Sequence, residues 1–359
     1  MDLYYLPRSG FSQLIDVLRN HAETIMVPKA QDGAMVFSEL DPGEEIEAGW
    51  QEVQDAGRYS LEKTESPRWF KWATGPQALK PIVYPPREAL WRVEKQGITF
   101  ESVPESVPAT AIIGVRACDL AALSLLDKHF LGSQFPDTAY KSRRDSLFIV
   151  AVDCARSAAT CFCVSTGDGP SATQGFDIAL SELEDGFVLR SGSARGESLL
   201  KGFSRANERQ ITLSEKQVDQ AISMQTRQLP AQDLRSLINK SLESDAWEAI
   251  AARCLSCGNC TSVCPTCFCH SESALAELDG SSSTQYREWD SCFTQSHSYI
   301  HGIVIRSETA TRYRQWFTHK LANWHEQYGR SGCVGCGRCI SWCPVGIDIT
   351  QEVATLNGN

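Results

Sequence analysis

Apolar and polar positions are patterned most clearly in the middle of the chain. Ala111–Val115 and Ser146–Val152 are short apolar runs, with the length and composition typical of buried strands. Between them, Asp119–Phe130 carries leucines at helical spacing, which predicts an amphipathic helix. Because a strand, a helix and a second strand follow one another within about forty residues, this segment predicts a βαβ unit with parallel strands.

The pattern before this unit predicts a mixed α/β region. Apolar residues between Ser12 and Leu18 indicate a short helix, which Ser12 would cap. Ile25–Val27 and Ala34–Phe37 alternate as strands on either side of an Asp-Gly pair at 32–33, which is typical of hairpin turns. A short helix followed by a two-stranded hairpin is therefore expected here.

The C-terminal third contains one cysteine pattern twice. Residues 254–265 and 333–344 both read C-x2-C-x2-C-x3-C-P, the bacterial ferredoxin pattern for a [4Fe–4S] cluster. Three closely spaced cysteines hold one cluster, and the fourth, before the proline, ligates the other cluster in two-cluster ferredoxins. The pattern therefore predicts two [4Fe–4S] clusters with exchanged ligands. Cluster I takes Cys254, Cys257, Cys260 and Cys343, and cluster II takes Cys333, Cys336, Cys339 and Cys264.

Zinc is the alternative metal for such cysteines. A structural zinc site usually pairs two C-x2-C knuckles across a longer loop. That arrangement leaves the third cysteine and the trailing Cys-Pro of each copy unexplained. Glycines at 258, 332, 335 and 337 also suit a backbone that bends closely around sulfur. Two intact copies of the pattern favour iron and sulfide over zinc.

The spacing of the two copies predicts the architecture around them. Sixty-eight residues separate Cys264 from Cys333, which suggests a domain in which helices surround both clusters. Ser307–Tyr328 is predicted as one long helix of this domain. Ser214–Ala249 is helical in pattern and broken once at Pro230, and it leads into the first cysteine loop.

Together these patterns predict an α+β or α/β protein in three parts. Prolines at 104 and 108 indicate the first boundary, after a helix predicted over Arg87–Glu94. The parts are an N-terminal mixed α/β region (1–105), an α/β domain that holds the small parallel βαβ unit (106–213), and a helical linker with the two-cluster ferredoxin domain (214–359).

Composition narrows the class of protein. The 359 residues are 42% apolar and 22% charged, as in an ordinary soluble globular protein. No apolar run reaches the roughly 18 residues of a membrane span, and no secretory signal is evident, so we expect a cytoplasmic location. In that reducing compartment, fifteen cysteines favour metal ligation over disulfides. The net charge of −10 argues against nucleic-acid binding.

Seven cysteines remain outside the duplicated pattern. Cys118 and Cys154 each follow a predicted parallel strand, so we expect both at the same edge of the sheet. Cys161 and Cys163 lie in the loop after Cys154. These four thiols could hold a third [4Fe–4S] cluster, or they could be small apolar side chains buried in the core.

The other three of these seven cysteines are Cys267, Cys269 and Cys292. With His270 or a substrate they could form another metal site, although such residues more often pack around a cluster. No G-x-G-x-x-G follows a predicted strand and no P-loop pattern occurs, so the sequence indicates no nucleotide site of its own. The chain has candidate electron carriers without a recognisable catalytic centre.

Several of these motifs together resemble one known family. They are Gly114-Val-Arg-Ala-Cys-Asp119, Cys161-Phe-Cys163, Cys264-Pro-Thr-Cys-Phe-Cys269, Trp289-Asp-Ser-Cys292 and the two ferredoxin loops. The family contains the iron–sulfur subunit of anaerobic sulfite reductase and the beta subunit of sulfhydrogenase, a soluble NAD(P)-linked nickel–iron hydrogenase. The resemblance covers residues 80–359. Ala117 departs from the family's pattern, in which proline is expected, but every cysteine is in place.

The resemblance implies a non-catalytic electron-transfer subunit of an oxidoreductase complex. A flavoprotein subunit that binds FAD and NAD(P) would lie at one end of the electron path. Nickel–iron hydrogenase subunits are the expected partners at the other end, and a sirohaem sulfite reductase subunit is the alternative. A further alternative is that the extra cysteine site reduces sulfur or disulfide substrates directly.

Overall fold

A computed structural model describes residues 2–95, 99–102, 106–230 and 233–358. The strands are β1 (Leu3–Pro7), β2 (Thr24–Gln31), β3 (Ala34–Glu39), β4 (Trp50–Asp55), β5 (Arg58–Lys63), β6 (Arg87–Glu94), β7 (Thr99–Ser102), β8 (Thr110–Val115), β9 (Leu147–Val152), β10 (Ile178–Glu182), β11 (Gly186–Ser191), β12 (Ser204–Arg205), β13 (His270–Ala276), β14 (Ser282–Trp289), β15 (Tyr299–Ile300) and β16 (Ile303–Val304).

The helices are α1 (Phe11–Arg19), α2 (Lys80–Val83), α3 (Ala117–Leu131), α4 (Thr138–Asp145), α5 (Cys163–Thr166), α6 (Ala194–Leu200), α7 (Glu208–Ser223), α8 (Leu234–Lys240), α9 (Ala246–Ala251), α10 (Asn259–Ser262), α11 (Thr309–Thr318), α12 (Trp324–Tyr328), α13 (Arg338–Ser341) and α14 (Ile349–Leu356). Short 3₁₀ turns cover Arg8–Gly10 and Gln295–Ser298, and a π-helical segment, His319–Asn323, joins α11 to α12. Within the described residues, no helix combines the length and apolar character that a membrane span requires.

The largest element is an eight-stranded sheet in the order β12-β1-β11-β10-β9-β8-β2-β3. Its centre is parallel, because β8 lies between β9 and β2 and β10 runs alongside β9 in the same direction. The predicted βαβ unit is confirmed: β8 and β9 are parallel neighbours, and α3 lies between them in sequence. The outer pairs are antiparallel.

The central strands are apolar along their whole length because both faces of the sheet are covered. Ile113 of β8 faces one hydrophobic core, to which Leu14 of α1 also contributes. The preceding residue, Ile112, faces the opposite core together with Leu123 of α3. Burial on both faces explains why the sequences of β8 and β9 are continuous apolar runs and not alternations.

N-terminal residues contribute to both sides of this parallel centre. β2 pairs with β8 on one side, and β1 pairs with β11 on the other. The predicted hairpin between β2 and β3 is confirmed, and its turn residues Asp32 and Gly33 have left-handed φ values of 50° and 74°. The sheet thus joins strands from both sides of residue 105, and the division of the chain into three parts stays a prediction.

The prediction of a helix over Arg87–Glu94 is wrong, because this segment forms strand β6. It pairs with β7 on one side and with β14, far later in the chain, on the other. Pairing with so distant a strand overrides the local pattern. The hairpin of β13 and β14 lies between the two cysteine loops, so the interval predicted to be helical also contains part of a four-stranded antiparallel sheet.

Apart from these strands and the short pair β15–β16, the regular structure from residue 208 onward is helical. Helices α7, α8 and α9 occupy the segment with the predicted break at Pro230. The helix predicted over Ser307–Tyr328 consists of α11, the π-helical segment and α12. Its aromatic side chains Trp316, Phe317 and Trp324 are buried. The core around α11 also packs against cysteines of both duplicated loops.

A buried ion pair joins the second cysteine loop to the sheet. Arg338 of that loop donates from Nη1 to Asp119 Oδ1 at 2.7 Å and from Nη2 to Asp119 Oδ2 at 3.2 Å. Its Nε donates to the carbonyl oxygen of Gly75 at 2.8 Å. Both side chains of the pair are only 1% exposed, so water cannot replace either partner.

We expect Asp119→Asn to lower the free energy of unfolding by about 3–5 kcal/mol, because it leaves the Arg338 charge buried without its partner. Asp145→Asn is the matched control, since Asp145 pairs with Lys141 at the surface and its loss should cost less than about 1 kcal/mol. Denaturant unfolding of both full-length variants under anaerobic conditions measures the difference. Equal losses would contradict a structural role for the buried pair.

Candidate metal centre

The two duplicated cysteine loops fold in the same way. Each has left-handed backbone on both sides of its second cysteine: φ is 52° at Ser256 and 73° at Gly258, and 63° at Gly335 and 74° at Gly337. A short helix follows in each loop, and these two helices, α10 and α13, pack together. The turns fold each loop back on itself, so that its first three cysteines approach one another.

Five cysteines from the two loops line one cavity. Cys254, Cys257 and Cys260 of the first loop line it together with Cys343 of the second, and Cys339, which is assigned to cluster II, also borders it. The cavity contains about 470 Å³ of empty space, part of it open to solvent. Its other walls are mainly apolar and include Phe293, Tyr313, Trp316, Ile347 and Ile349. The residues assigned to cluster I therefore meet at one place, and thiol donors in an apolar wall suit a [4Fe–4S] cluster.

The residues assigned to cluster II also lie together. Burial, with smaller contributions from the neighbouring Cys336 and Cys264, raises the pKa of the Cys333 thiol to about 12. Cys339 is half-buried beside the same three cysteines, and its desolvation raises its pKa as well. Thiolate is the form that ligates metal, so iron binding would release protons from these thiols.

The four cysteines considered for a third cluster lie together at the carboxyl edge of the parallel strands. Three of them are buried, and Cys154 is half-buried. Cys118 lies in the first turn of α3, directly after β8, and Cys154 follows β9, as predicted. Cys161 lies near Cys154 and Cys163, and Cys163 lies near Cys118. Burial raises the pKa of all four thiols, that of Cys163 to about 12.

This third group adjoins the second ferredoxin loop. Cys118 and Cys163 pack in one core cluster with Cys336. The backbone N–H of Phe162 donates to the carbonyl oxygen of Gly335 at 2.8 Å. The third group therefore packs directly against the residues assigned to cluster II.

Backbone amides donate to sulfur at equivalent positions of the two loops. The N–H of Ser256 donates to Cys254 Sγ at 3.4 Å, and the N–H of Gly335 donates to Cys333 Sγ at 3.5 Å. Such hydrogen bonds stabilise a ligating thiolate and influence the potential of a bound cluster.

The distances between the cysteine side chains favour iron–sulfur clusters over zinc. Within the described ranges, no three His, Cys, Asp or Glu side chains are grouped tightly enough for a single metal ion. Zinc takes its four ligands at one point. A [4Fe–4S] cluster spreads four cysteines over four irons, which agrees with thiols that surround a cavity.

Lys320 is a buried cation that sequence reasoning missed. Its Nζ donates to Thr266 Oγ1 at 2.8 Å, and it lies beside Cys264. Its position contained a signal, because Lys320 is four residues from both Trp316 and Trp324 and so belongs to the predicted apolar face of the helix. A lysine on that face needs an anionic partner, which the cysteine loop supplies.

A second histidine, besides the His270 considered from the sequence, lies near the remaining cysteines. His270 Nδ1 lies 3.2 Å from the carbonyl oxygen of Phe268. His297 lies near Cys269, and the interaction between them lowers the pKa of the Cys269 thiol and raises that of His297. Cys267 contacts Cys264.

The fold and these cysteine groups define an iron–sulfur protein with a two-cluster domain. Residues 253–347 match the family model of a 4Fe-4S dicluster domain. Over 268 residues the chain is 31% identical to the beta subunit of sulfhydrogenase 2 from Pyrococcus furiosus, and the match covers 73% of this chain and 78% of that protein. No solved structure matched the chain. The chain belongs to the sulfhydrogenase beta subunit family, in agreement with the resemblance seen in its motifs.

We expect Gly337→Ala to destabilise the second cysteine loop more than Gly329→Ala destabilises its surroundings. The two glycines have φ values of 74° and 75°, so left-handed strain of about 1–2 kcal/mol is common to both variants. A Cβ at 337 would also overlap the carbonyl oxygen of Thr160, whereas a Cβ at 329 meets none of the described atoms within 4 Å.

This overlap should add about 1–3 kcal/mol at position 337. Thermal unfolding of both full-length proteins, prepared without oxygen, measures the difference. Equal decreases in the unfolding temperature of the two variants would contradict the close approach between the loop that contains Thr160 and the second cysteine loop.

Proposed function

We propose that this chain is the iron–sulfur electron-transfer subunit of a cytoplasmic oxidoreductase complex. The observation that carries the proposal is the cavity that Cys254, Cys257 and Cys260 line together with Cys339 and Cys343, because the two cysteine loops contribute to it jointly. In this proposal cluster I is held by Cys254, Cys257, Cys260 and Cys343, cluster II by Cys333, Cys336, Cys339 and Cys264, and a third [4Fe–4S] cluster by Cys118, Cys154, Cys161 and Cys163.

The third cluster is supported by the position of its proposed ligands. They come from the ends of two parallel strands and the loop that follows, a place where sites form in parallel sheets. Cys163 lies beside Cys336, so the third group is a neighbour of the residues assigned to cluster II.

The chain's own residues have distinct tasks in this role. When bound, the clusters supply one-electron redox chemistry. The cysteines would ligate as thiolates, and the backbone N–H groups of Ser256 and Gly335 donate to two of their sulfurs. Apolar side chains such as Phe293 and Trp316 form much of the wall of the first site.

The proposed partners follow from the relative in Pyrococcus furiosus, which by its name is part of a sulfhydrogenase. We extend this to partners of the same kind for the present chain. Nickel–iron hydrogenase subunits would accept or supply electrons at one end, and a flavoprotein subunit that binds FAD and NAD(P) would do so at the other.

Metal analysis tests the clusters. The full chain, purified without oxygen, should contain roughly twelve irons and as many acid-labile sulfides, at four per cluster. Cys343→Ser and Cys161→Ser should each lower the iron content by roughly four and remove a different electron paramagnetic resonance signal. About eight irons in the unaltered chain would remove the third cluster, and zinc in place of iron would end the proposal.

Affinity purification from the native organism tests the partners. A tagged chain should recover a nickel-containing subunit together with a flavoprotein. The isolated chain should reduce redox dyes at most and should not consume hydrogen. Recovery of a sirohaem protein would assign the chain to a sulfite reductase complex, and hydrogen turnover by the isolated chain would contradict a purely electron-transferring role.

A further inference from the structure

An unpartnered hydroxyl lies in the wall of the cavity assigned to cluster I. Tyr313 of α11 lines this cavity, and its side chain is only 3% exposed. Among the described residues its hydroxyl has no hydrogen-bond partner. Trp316 Nε1, about one helical turn later in the same wall, has none there either. Buried donors without an acceptor are rare in native proteins because they cost free energy, so each one requires an explanation.

The Tyr313 hydroxyl lies among cysteine sulfurs. A tyrosine hydroxyl keeps its proton at neutral pH, and burial raises the pKa of Tyr313 well above the usual value. The neighbouring groups that add to this rise through their negative charges are Glu352, Cys260, Cys339 and Cys254. Two of these three cysteines are assigned to cluster I. The hydroxyl is therefore a hydrogen-bond donor beside proposed cluster ligands.

The carboxylate in this group does not serve as the acceptor. Glu352 Oε1 accepts a hydrogen bond from Arg253 Nη2 at 2.7 Å. The Tyr313 hydroxyl makes no hydrogen bond with this carboxylate. Apart from the cysteines, the side chains that line the cavity are mainly apolar. Sulfur is therefore the acceptor that this environment offers.

Aromatic packing fixes the position of the donor. The centroid of the Tyr313 ring lies 5.4 Å from that of Trp316 and 6.2 Å from that of Phe293. Phe317 and Trp247 pack against the same ring, with 6.0 Å and 6.4 Å between centroids. Because a close-packed interior resists the movement of a large ring, the hydroxyl keeps its place when the charge beside it changes. A preorganised donor of this kind stabilises new negative charge without reorganisation.

A [4Fe–4S] cluster at this site would supply the acceptor. Its sulfides and its cysteine thiolates accept hydrogen bonds, and reduction adds one negative charge to them. A donor beside the cluster binds the reduced, more negative state more strongly than the oxidised state. The hydrogen bond therefore raises the reduction potential of the cluster.

We propose that the Tyr313 hydroxyl donates a hydrogen bond to a sulfur atom of cluster I and thereby raises its reduction potential. Tyr313 influences the cluster without ligating it, as the backbone N–H of Ser256 does in the first cysteine loop. The inference rests on the proposed function, because it requires iron and sulfide in this cavity. It adds a side chain of α11 to the groups that determine the potential.

A redox titration tests the inference on the full chain, purified without oxygen. Electron paramagnetic resonance follows cluster I through the signal that Cys343→Ser removes. Tyr313→Phe keeps the aromatic ring and deletes only the hydroxyl. At a fixed solution potential, we expect the ratio of reduced to oxidised cluster I to fall about tenfold in this variant. For one electron this corresponds to a decrease of about 59 mV in the midpoint potential.

Tyr140→Phe is the matched control. Tyr140 is also buried, but its hydroxyl already donates to Asp127 Oδ1 at 2.7 Å. This variant should leave the potential of cluster I unchanged, and both variants should keep the iron and sulfide content of the unaltered chain. An unchanged potential in Tyr313→Phe, or equal decreases in the two variants, would overturn the inference. Loss of iron from Tyr313→Phe would overturn it as well, because the hydroxyl would then be needed to hold the site together.

Pulsed electron–nuclear double resonance detects the hydrogen bond directly. In the reduced chain, a proton that exchanges with deuterated water should couple to cluster I. This coupling should persist in Tyr140→Phe and be absent from Tyr313→Phe. A chain that contains its clusters but shows no such difference would end the inference and leave the proposed function intact. A chain without iron or sulfide would end both.

Discussion

Contact between two loop backbones determines how the candidate centres are arranged. The loop after β9 and the second ferredoxin loop approach so closely that a Cβ on Gly335 would lie 2.5 Å from the Cα of Cys163. The Phe162 N–H donates a hydrogen bond to the Gly335 carbonyl oxygen, with 2.8 Å between nitrogen and oxygen, and this bond holds the two loops together. One loop comes from the edge of the parallel sheet and the other from the C-terminal region. Their contact makes the third cysteine group a neighbour of cluster II, so an electron path between them would stay inside the chain.

Buried positive charge accompanies this arrangement. Arg338 lies between two proposed ligands in sequence and pairs with Asp119, which directly follows Cys118. Lys320 lies near Cys264 of the first loop and Cys333 of the second. Thiolates and the clusters they ligate add negative charge to a region without water, and buried cations offset it. Positive charge also lies near the hairpin of β13 and β14, where His297 and Lys320 lower the pKa of the Cys269 thiol.

Sequence patterns predicted those features that depend on neighbours along the chain. The βαβ unit was recognisable because strands covered on both faces become short apolar runs, and the duplicated cysteine spacing indicated two shared sites. The strand at Arg87–Glu94 was missed because its partner β14 lies far away in sequence. For the same reason the approach of Cys269 to Cys292 and His297 could not be predicted, since it depends on the register of a hairpin. The ligand assignments stay predictions from the motif, although the structure places each assigned set together.

Anomalous diffraction at the iron absorption edge, from crystals grown without oxygen, tests the central claim most directly. The account predicts a compact iron peak in the cavity lined by Cys257 and Cys343 and a second peak beside Cys333 and Cys264. An empty cavity between Cys257 and Cys343, or peaks that appear at the zinc edge instead, would contradict it.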